Sequence, residues 1–348
     1  NLPNGYVIAD NLINVSDSPQ TVTYIITPVS PGGCADGPSQ TVTVTVNPTP
    51  RIFPVPVDAI ICDNGTTNIV LQSPSTFTTG SISFKYTVVA TGGVTGFTTP
   101  VNGRPNNWVI ADNLVNPTDA PQTVTYTITP VSPAGCNDGP SRVVVVTVNP
   151  TPRIFPLPAN ITQCDSTLTN ILLQSPSTFT SGSVTFKYTV TATGGVTGFS
   201  TPVSGLPNGH IISDELVNPT DQPQTVTYTI TPVSPTGCSD GPSHDVTVTV
   251  NPTPRIFPVP ANSIQCDSLT TNIVLQSPST FTTGVVTFRF TATAPASLIG
   301  WTASGNNLPN GYTIADNLVN LSDAPQTVTY VITPVSPAGC SDGPSKVV

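Results

Sequence analysis

Seven cysteines stand in this chain on a fixed beat. Cys34, Cys136, Cys238 and Cys340 are each 102 residues apart (136 − 34 = 102), and so are Cys62, Cys164 and Cys266. Two chemistries use cysteines in sets: metal ligation and disulfide formation. Structural zinc needs clustered Cys or His at short spacing. The only histidines, His210 and His244, each occupy their place in one copy alone. Regularly paired cysteines therefore read as disulfides in an oxidising, extracellular setting.

The acidic residues keep the same beat. Asp112 and Asp119 recur as Asp10 and Asp17, Asp214 and Asp221, and Asp316 and Asp323; Asp63 recurs as Asp165 and Asp267. Calcium takes six to eight oxygens, and Asp112, Asn113, Asn116 and Asp119 offer some of them. The simpler reading is that Asp and Asn cap turns through their own backbone. The carboxylate pair also imitates that of a glycosidase, but no aromatic cleft accompanies it and no nucleophile–base set recurs between copies. No enzymatic activity and no obligate cofactor are expected. One position varies: Tyr6, Trp108, His210 and Tyr312 each follow a Pro-Asn-x turn. An aromatic there would stack on a sugar, or simply start a strand half-buried. Phe97, Phe199 and Trp301 align with one another and read as core.

The elements that must carry these residues repeat with them. Arg-Ile-Phe-Pro begins at Arg51, Arg153 and Arg255, and Thr-Val-Thr-Tyr at Thr21, Thr123, Thr225 and Thr327. A long fixed period with near-identical copies marks an array of small domains. The expected units are 1–50 (the C-terminal part of a repeat), 51–152, 153–254, and 255–348 with its last strand cut short. The chain reads as a window from a longer array. Junctions fall at Asn47-Pro48-Thr49-Pro50 and its copies, where paired prolines resist helix and stiffen the link.

With 8% charged residues, no Met and abundant Thr and Val, the composition is that of an all-β protein. Nine Lys plus Arg against a net charge of −9 cannot form a phosphate-binding stripe, so no nucleic-acid partner is expected. No apolar run is long enough for a membrane-spanning helix. Within 51–152 the pattern predicts strands over Arg51–Ile61 (held to an edge by Pro54 and Pro56), Asn68–Gln72, Ser81–Ala90, Trp108–Leu114, Thr123–Thr129 and Arg142–Val148, with a short one near Phe97. Val124, Tyr126 and Ile128 face inward and the threonines outward. Six or seven short strands in about 100 residues predict an antiparallel β-sandwich, with a closed barrel as the alternative.

The run Val124-Thr125-Tyr126-Thr127-Ile128-Thr129-Pro130, then Gly135-Cys136, then Thr147-Val148-Asn149-Pro150-Thr151-Pro152, resembles the PKD-like, immunoglobulin-type repeats of giant secreted proteins of Bacteroidota. Cys62-Asp63-Asn64-Gly65 ahead of Asn68-Ile69-Val70-Leu71, and Asn113-Leu114-Val115-Asn116, extend the likeness to every repeat. The resemblance implies a cell-surface adhesin or a gliding-motility-associated filament, exported by the type IX route. The Trp-Asp-Phe-Gly-Asp signature of typical PKD domains is missing. Asp165-Ser166-Thr167 and Asp267-Ser268-Leu269 resemble sites that these bacteria O-glycosylate, which makes Ser166 and Ser268 acceptor candidates.

If the strand order is immunoglobulin-like, Cys62 and Cys136 sit at opposite ends of one domain, roughly 30 Å apart by strand rise. A disulfide needs Cα atoms within about 7 Å. Bonds Cys62–Cys238 and Cys164–Cys340, between successive domains, are then favoured. A different strand path would give Cys62–Cys136, Cys164–Cys238 and Cys266–Cys340, and both pairings stay open. The expected role is structural: a disulfide-stapled stalk or fibre subunit, whose partners are further copies of the repeat in the same or neighbouring chains. The alternatives are a glycan-binding repeat with surface glycans as partners, and a spacer within a large secreted hydrolase.

Overall fold

The computed structural model describes residues 1–53, 58–98, 101–133, 135–200, 203–235, 237–257, 263–337 and 339–348. The chain divides into two compact units. The first holds residues 1–151 with two loops, 177–182 and 235–239; the second holds 152–176, 183–234 and 240–348.

In the first unit the strands are β1 (Gln20–Ile26), β2 (Gln40–Val46), β3 (Asp58–Cys62), β4 (Gly65–Thr66), β5 (Ile69–Leu71), β6 (Ser83–Ala90), β7 (Val101–Pro105), β8 (Trp108–Ile110), β9 (Asn113–Leu114), β10 (Gln122–Val131) and β11 (Arg142–Asn149). β1 and β2 form an antiparallel hairpin from Gln20↔Val46 to Ile26↔Gln40. The following repeat builds a five-stranded sheet in the order β3-β11-β10-β6-β7, faced by the short pairs β5-β8 and β4-β9. All pairs are antiparallel except β3 with β11.

The sandwich follows from the alternation. Along β10 every second residue is buried, and Val124, Tyr126 and Ile128 are fully enclosed. Phe84 and Tyr86 from β6, and Val144, Val146 and Val148 from β11, complete one wall; Ile69, Leu71, Ile110 and Leu114 supply the other. The outward positions of β10 are threonines, which suit a pleated, half-solvated surface. Phe97 packs against this core.

Three sequence expectations are corrected. Among the described residues the first strand spans Asp58–Cys62, and Arg51–Phe53 belong to no strand; Pro54 and Pro56 lie outside the described residues. The strand expected over Trp108–Leu114 is two: β8 and β9 pair with different partners. Near Phe97 the described residues form a single bridge, Thr95↔Val115, in place of a strand. The edge strand β7 lies instead at Val101–Pro105, joined to β6 across an irregularity between Phe84 and Tyr86.

The second unit repeats this plan. Asn160–Cys164, His244–Asn251, Gln224–Val233, Thr185–Ala192 and Val203–Pro207 form a five-stranded sheet in the same order. Its last repeat has a four-stranded sheet ending in the short strand Lys346–Val347, around Phe288, Phe290, Tyr330 and Ile332, with Trp301 packed against them. Among the described residues no helix is long and apolar enough to cross a membrane.

Candidate functional site: the joints between repeats

The residues with chemical capacity gather where one repeat meets the next. In the first unit, Arg51 opens a repeat and its guanidinium closes on Asp17 of the preceding one. Nε donates to Oδ1 at 2.8 Å and a terminal nitrogen to Oδ2. Two parallel N–H donors match the two carboxylate oxygens. Arg51 N donates to Ser75 Oγ at 3.0 Å, and Thr76 N to the Asp17 carbonyl at 2.8 Å. Asn47, in the proline linker, exchanges two hydrogen bonds with Thr78. The second unit repeats the clasp: Arg255 on Asp221 at 2.8 and 2.6 Å, and Asn251 on Thr282 at 2.9 and 3.1 Å. The guanidinium holds the carboxyls of Asp17 and Asp221 below their ordinary range.

Close backbone approach tightens the same region. Gly139 lies against the carbonyl of Pro50, and a Cβ there would overlap that oxygen; Gly241 meets Pro152 and Gly343 meets Pro254 in the same way. Asp63, beside Cys62, ties the turn to the linker. Its Oδ1 accepts from Asn116 N at 2.8 Å and its Oδ2 from Thr151 Oγ1 at 2.7 Å. Asp165 does the same for Asn218 and Thr253 at 2.7 Å each.

The cysteines complete the joint. Cys62 is bonded to Cys238 and Cys164 to Cys340, each with Cα atoms 5.5 Å apart and 176 residues between partners. The first bond lies within the first unit and the second within the second. The pairings Cys62–Cys136, Cys164–Cys238 and Cys266–Cys340 are not formed; Cys34, Cys136 and Cys266 are free and exposed. The register explains this. Cys62 stands opposite Asn149 at the far end of β11, whereas Cys136 precedes Arg142 at its near end. An eight-residue strand separates them, about 26 Å at 3.3 Å per residue.

Three of the four calcium candidates, Asp112, Asn116 and Asp119, are engaged within the fold. Asp112 is buried, accepting from Tyr126 Oη at 2.7 Å and Thr98 Oγ1 at 2.8 Å, while its backbone N donates to Thr67 Oγ1. Asn116 is buried too, donating to the carbonyls of Ala120 and Val148 and accepting from Thr118. Asn113 is exposed. The carbonyl of Asp119 accepts from Thr178 N at 2.7 Å, and its carboxylate from Ser177 Oγ at 3.3 Å. The Asp–Tyr lock recurs as Asp214–Tyr228, Asp316–Tyr330 and, in the leading hairpin repeat, Asp10–Tyr24. Burial, and then the carboxylate hydrogen bond, push the phenols of Tyr126, Tyr228 and Tyr330 up from their ordinary value of 10.

Trp108, His210 and Tyr312 begin equivalent short strands. Trp108 and Tyr312 are each 39% exposed and Tyr6 56%; His210 is half-buried. The Arg104 guanidinium lies 4.3 Å over the Trp108 ring. Ser166 and Ser268 are exposed in left-handed turns, at φ 57° and 63°, in the place taken by Asn64. The Arg–Asp clasp and the Asp–Tyr lock are not among the contacts expected from the sequence. Both carry a constant spacing as their signal: 34 residues for Asp17–Arg51 and Asp221–Arg255, and 14 for each Asp–Tyr pair.

A sandwich domain repeated in series, joined by prolines, clasps and disulfides, defines a tandem extracellular-type β-sandwich array. The PKD-like domain family model matches residues 2–50, 59–152, 162–254 and 265–348, and the chain belongs to that family. No curated protein matches it. Solved structures it is similar to include Drosophila N-cadherin EC1-4 (15% identity, 95% of this chain and 82% of that one, TM-score 0.34). Mouse cadherin-23 EC22-24 is another (12%, 83% and 94%, 0.38), as is the I9-I11 tandem of titin (11%, 86% and 97%, 0.27).

Proposed function

We propose that this chain is a structural segment of an extracellular bacterial surface adhesin or filament, acting as a disulfide-stapled stalk or fibre subunit. The observation that carries the reading is the recurrence of one joint: clasp, proline linker and glycine seat appear in both units, each alongside a disulfide. Disulfides persist in oxidising compartments, which supports a place outside the cell. The motif resemblance to Bacteroidota repeats supports that source and the type IX export route. In this reading the chain performs no reaction, needs no cofactor, and partners further copies of the repeat in its own or neighbouring chains. Repetition multiplies weak contacts into avidity. Electron microscopy of native, non-reduced material tests it. Ordered fibres with an axial repeat of roughly 35–45 Å, from strand rise plus loops, support a filament subunit, and separate strings of beads support a stalk. Compact particles without serial domains overturn both.

A second reading is glycan binding at Tyr6, Trp108, His210 and Tyr312, favoured by the exposure of the two aromatics that start equivalent strands, Trp108 and Tyr312. A glycan array separates the two, since a pure spacer retains no sugar.

A further inference from the structure

The two disulfide loops overlap. One closes residues 62–238 and the other 164–340, so residues 164–238 lie inside both. We propose that this overlap gives the chain a second covalent path between Cys62 and Cys340, so that a backbone cut between those residues does not part its ends.

The topology decides how much cleavage the chain survives. The bonded cysteines divide it into three intervals: 62–164, 164–238 and 238–340. A cut in the first is bridged by Cys62–Cys238, and a cut in the third by Cys164–Cys340. A cut in the second is spanned by both bonds. Two cuts in different intervals also leave the ends joined. With cuts in the first and third, the middle piece carries Cys164 and Cys238 and holds one end through each. Two cuts in one interval release only the peptide between them. The ends part only after three cuts, one in each interval. Two serial, non-overlapping loops would each protect only their own residues and leave the backbone between them a single point of failure. Extracellular proteases are the natural hazard for an exposed array with many loops, and overlap removes the damage of a first or second nick.

Site-specific cleavage of the full chain tests this. A protease recognition sequence is placed in the exposed turn at Asn106–Asn107, in the first interval, and another at the exposed turn Asn310–Gly311, in the third. A control variant carries it at Gly32–Gly33, outside both loops. After complete cleavage, denaturing gels without reductant are expected to show the doubly cut variant as one species of intact mass. Reductant then yields three fragments. The Gly32–Gly33 variant separates without reductant, and Cys238→Ser makes the Asn106–Asn107 variant separate too. Release of fragments from the Asn106–Asn107 variant without reductant overturns the proposal. Should the insertions disturb folding, limited trypsin digestion of the unaltered chain gives the same reading. Lys85, Arg104, Arg142, Arg153, Lys187, Arg255 and Arg289 lie inside the loops (the Arg104–Pro105 bond is a poor trypsin site), Arg51 and Lys346 outside. With digestion held to a single cut per chain, only trimming at Arg51 and Lys346 is expected before reduction, and a ladder that is identical with and without reductant overturns the proposal.

Discussion

At the scale of single residues, the Asp–Tyr lock is the costliest polar feature to disturb. Tyr126 is fully enclosed, and its hydroxyl is one of two side-chain donors to the buried Asp112 carboxylate. Tyr126→Phe removes that donor and leaves the buried carboxyl of Asp112 one partner short, at a cost of about 1–3 kcal/mol. Urea unfolding should show the loss, and Thr125→Ser on the solvent face should not. The raised phenols set an alkaline limit. A tyrosine whose folded value lies above its unfolded 10 contributes stability that is whole below pH 10 and is lost as pH climbs toward the folded value. The clasp carboxylates act with the opposite sign. Asp17 and Asp221 are held low by Arg51 and Arg255, so their contribution is whole above the unfolded value near 4 and disappears as pH falls below it. Both clasps are largely exposed, so the effect should be small and should shrink in high salt. A thermal melt that is unchanged between pH 6 and pH 3 at low salt would contradict a clasp role.

At the scale of elements, the glycine seat governs how a repeat meets its linker. Gly139→Ala puts a methyl into the Pro50 carbonyl, which requires backbone to move and should cost about 2 kcal/mol. The same change at exposed Gly103, whose Cβ would meet nothing, separates backbone strain at φ 78° from the clash. Much of this level was legible in the sequence. The alternation in Val124-Thr125-Tyr126-Thr127-Ile128 wrote the core face of β10 directly, because side chains on a strand point to opposite sides in turn. The parallel pairing of β3 with β11 was not legible, since strand neighbours far apart in sequence leave no mark in local pattern. Nor was β7: Val101-Asn102-Gly103-Arg104-Pro105 lacks alternation, being an edge that buries little. The Arg51–Asp17 clasp was hidden for another reason. A lone Asp in a turn looks the same whether it caps its own backbone or reaches an arginine 34 residues away.

At the scale of the whole molecule, the cysteine beat was plain in the sequence while the partners were not. Which cysteines pair depends on which end of β11 each occupies, and that is a property of the fold. The bonds have a mechanical consequence. From Cys62 to Cys340 the backbone runs 278 residues (340 − 62), but the shortest covalent path crosses both disulfides and only the 74 residues between Cys164 and Cys238 (238 − 164). Stretched in a force experiment, the unfolded span should stop at about 250 Å oxidised and about 950 Å reduced, at about 3.4 Å per residue. The measurement that tests the account most directly is a peptide map of the non-reduced protein by mass spectrometry. A peptide carrying Cys62 is expected linked to one carrying Cys238, and Cys164 to Cys340. A Cys62–Cys136 linkage would contradict it, because it would place both ends of β11 at one point and dissolve the stapled joint.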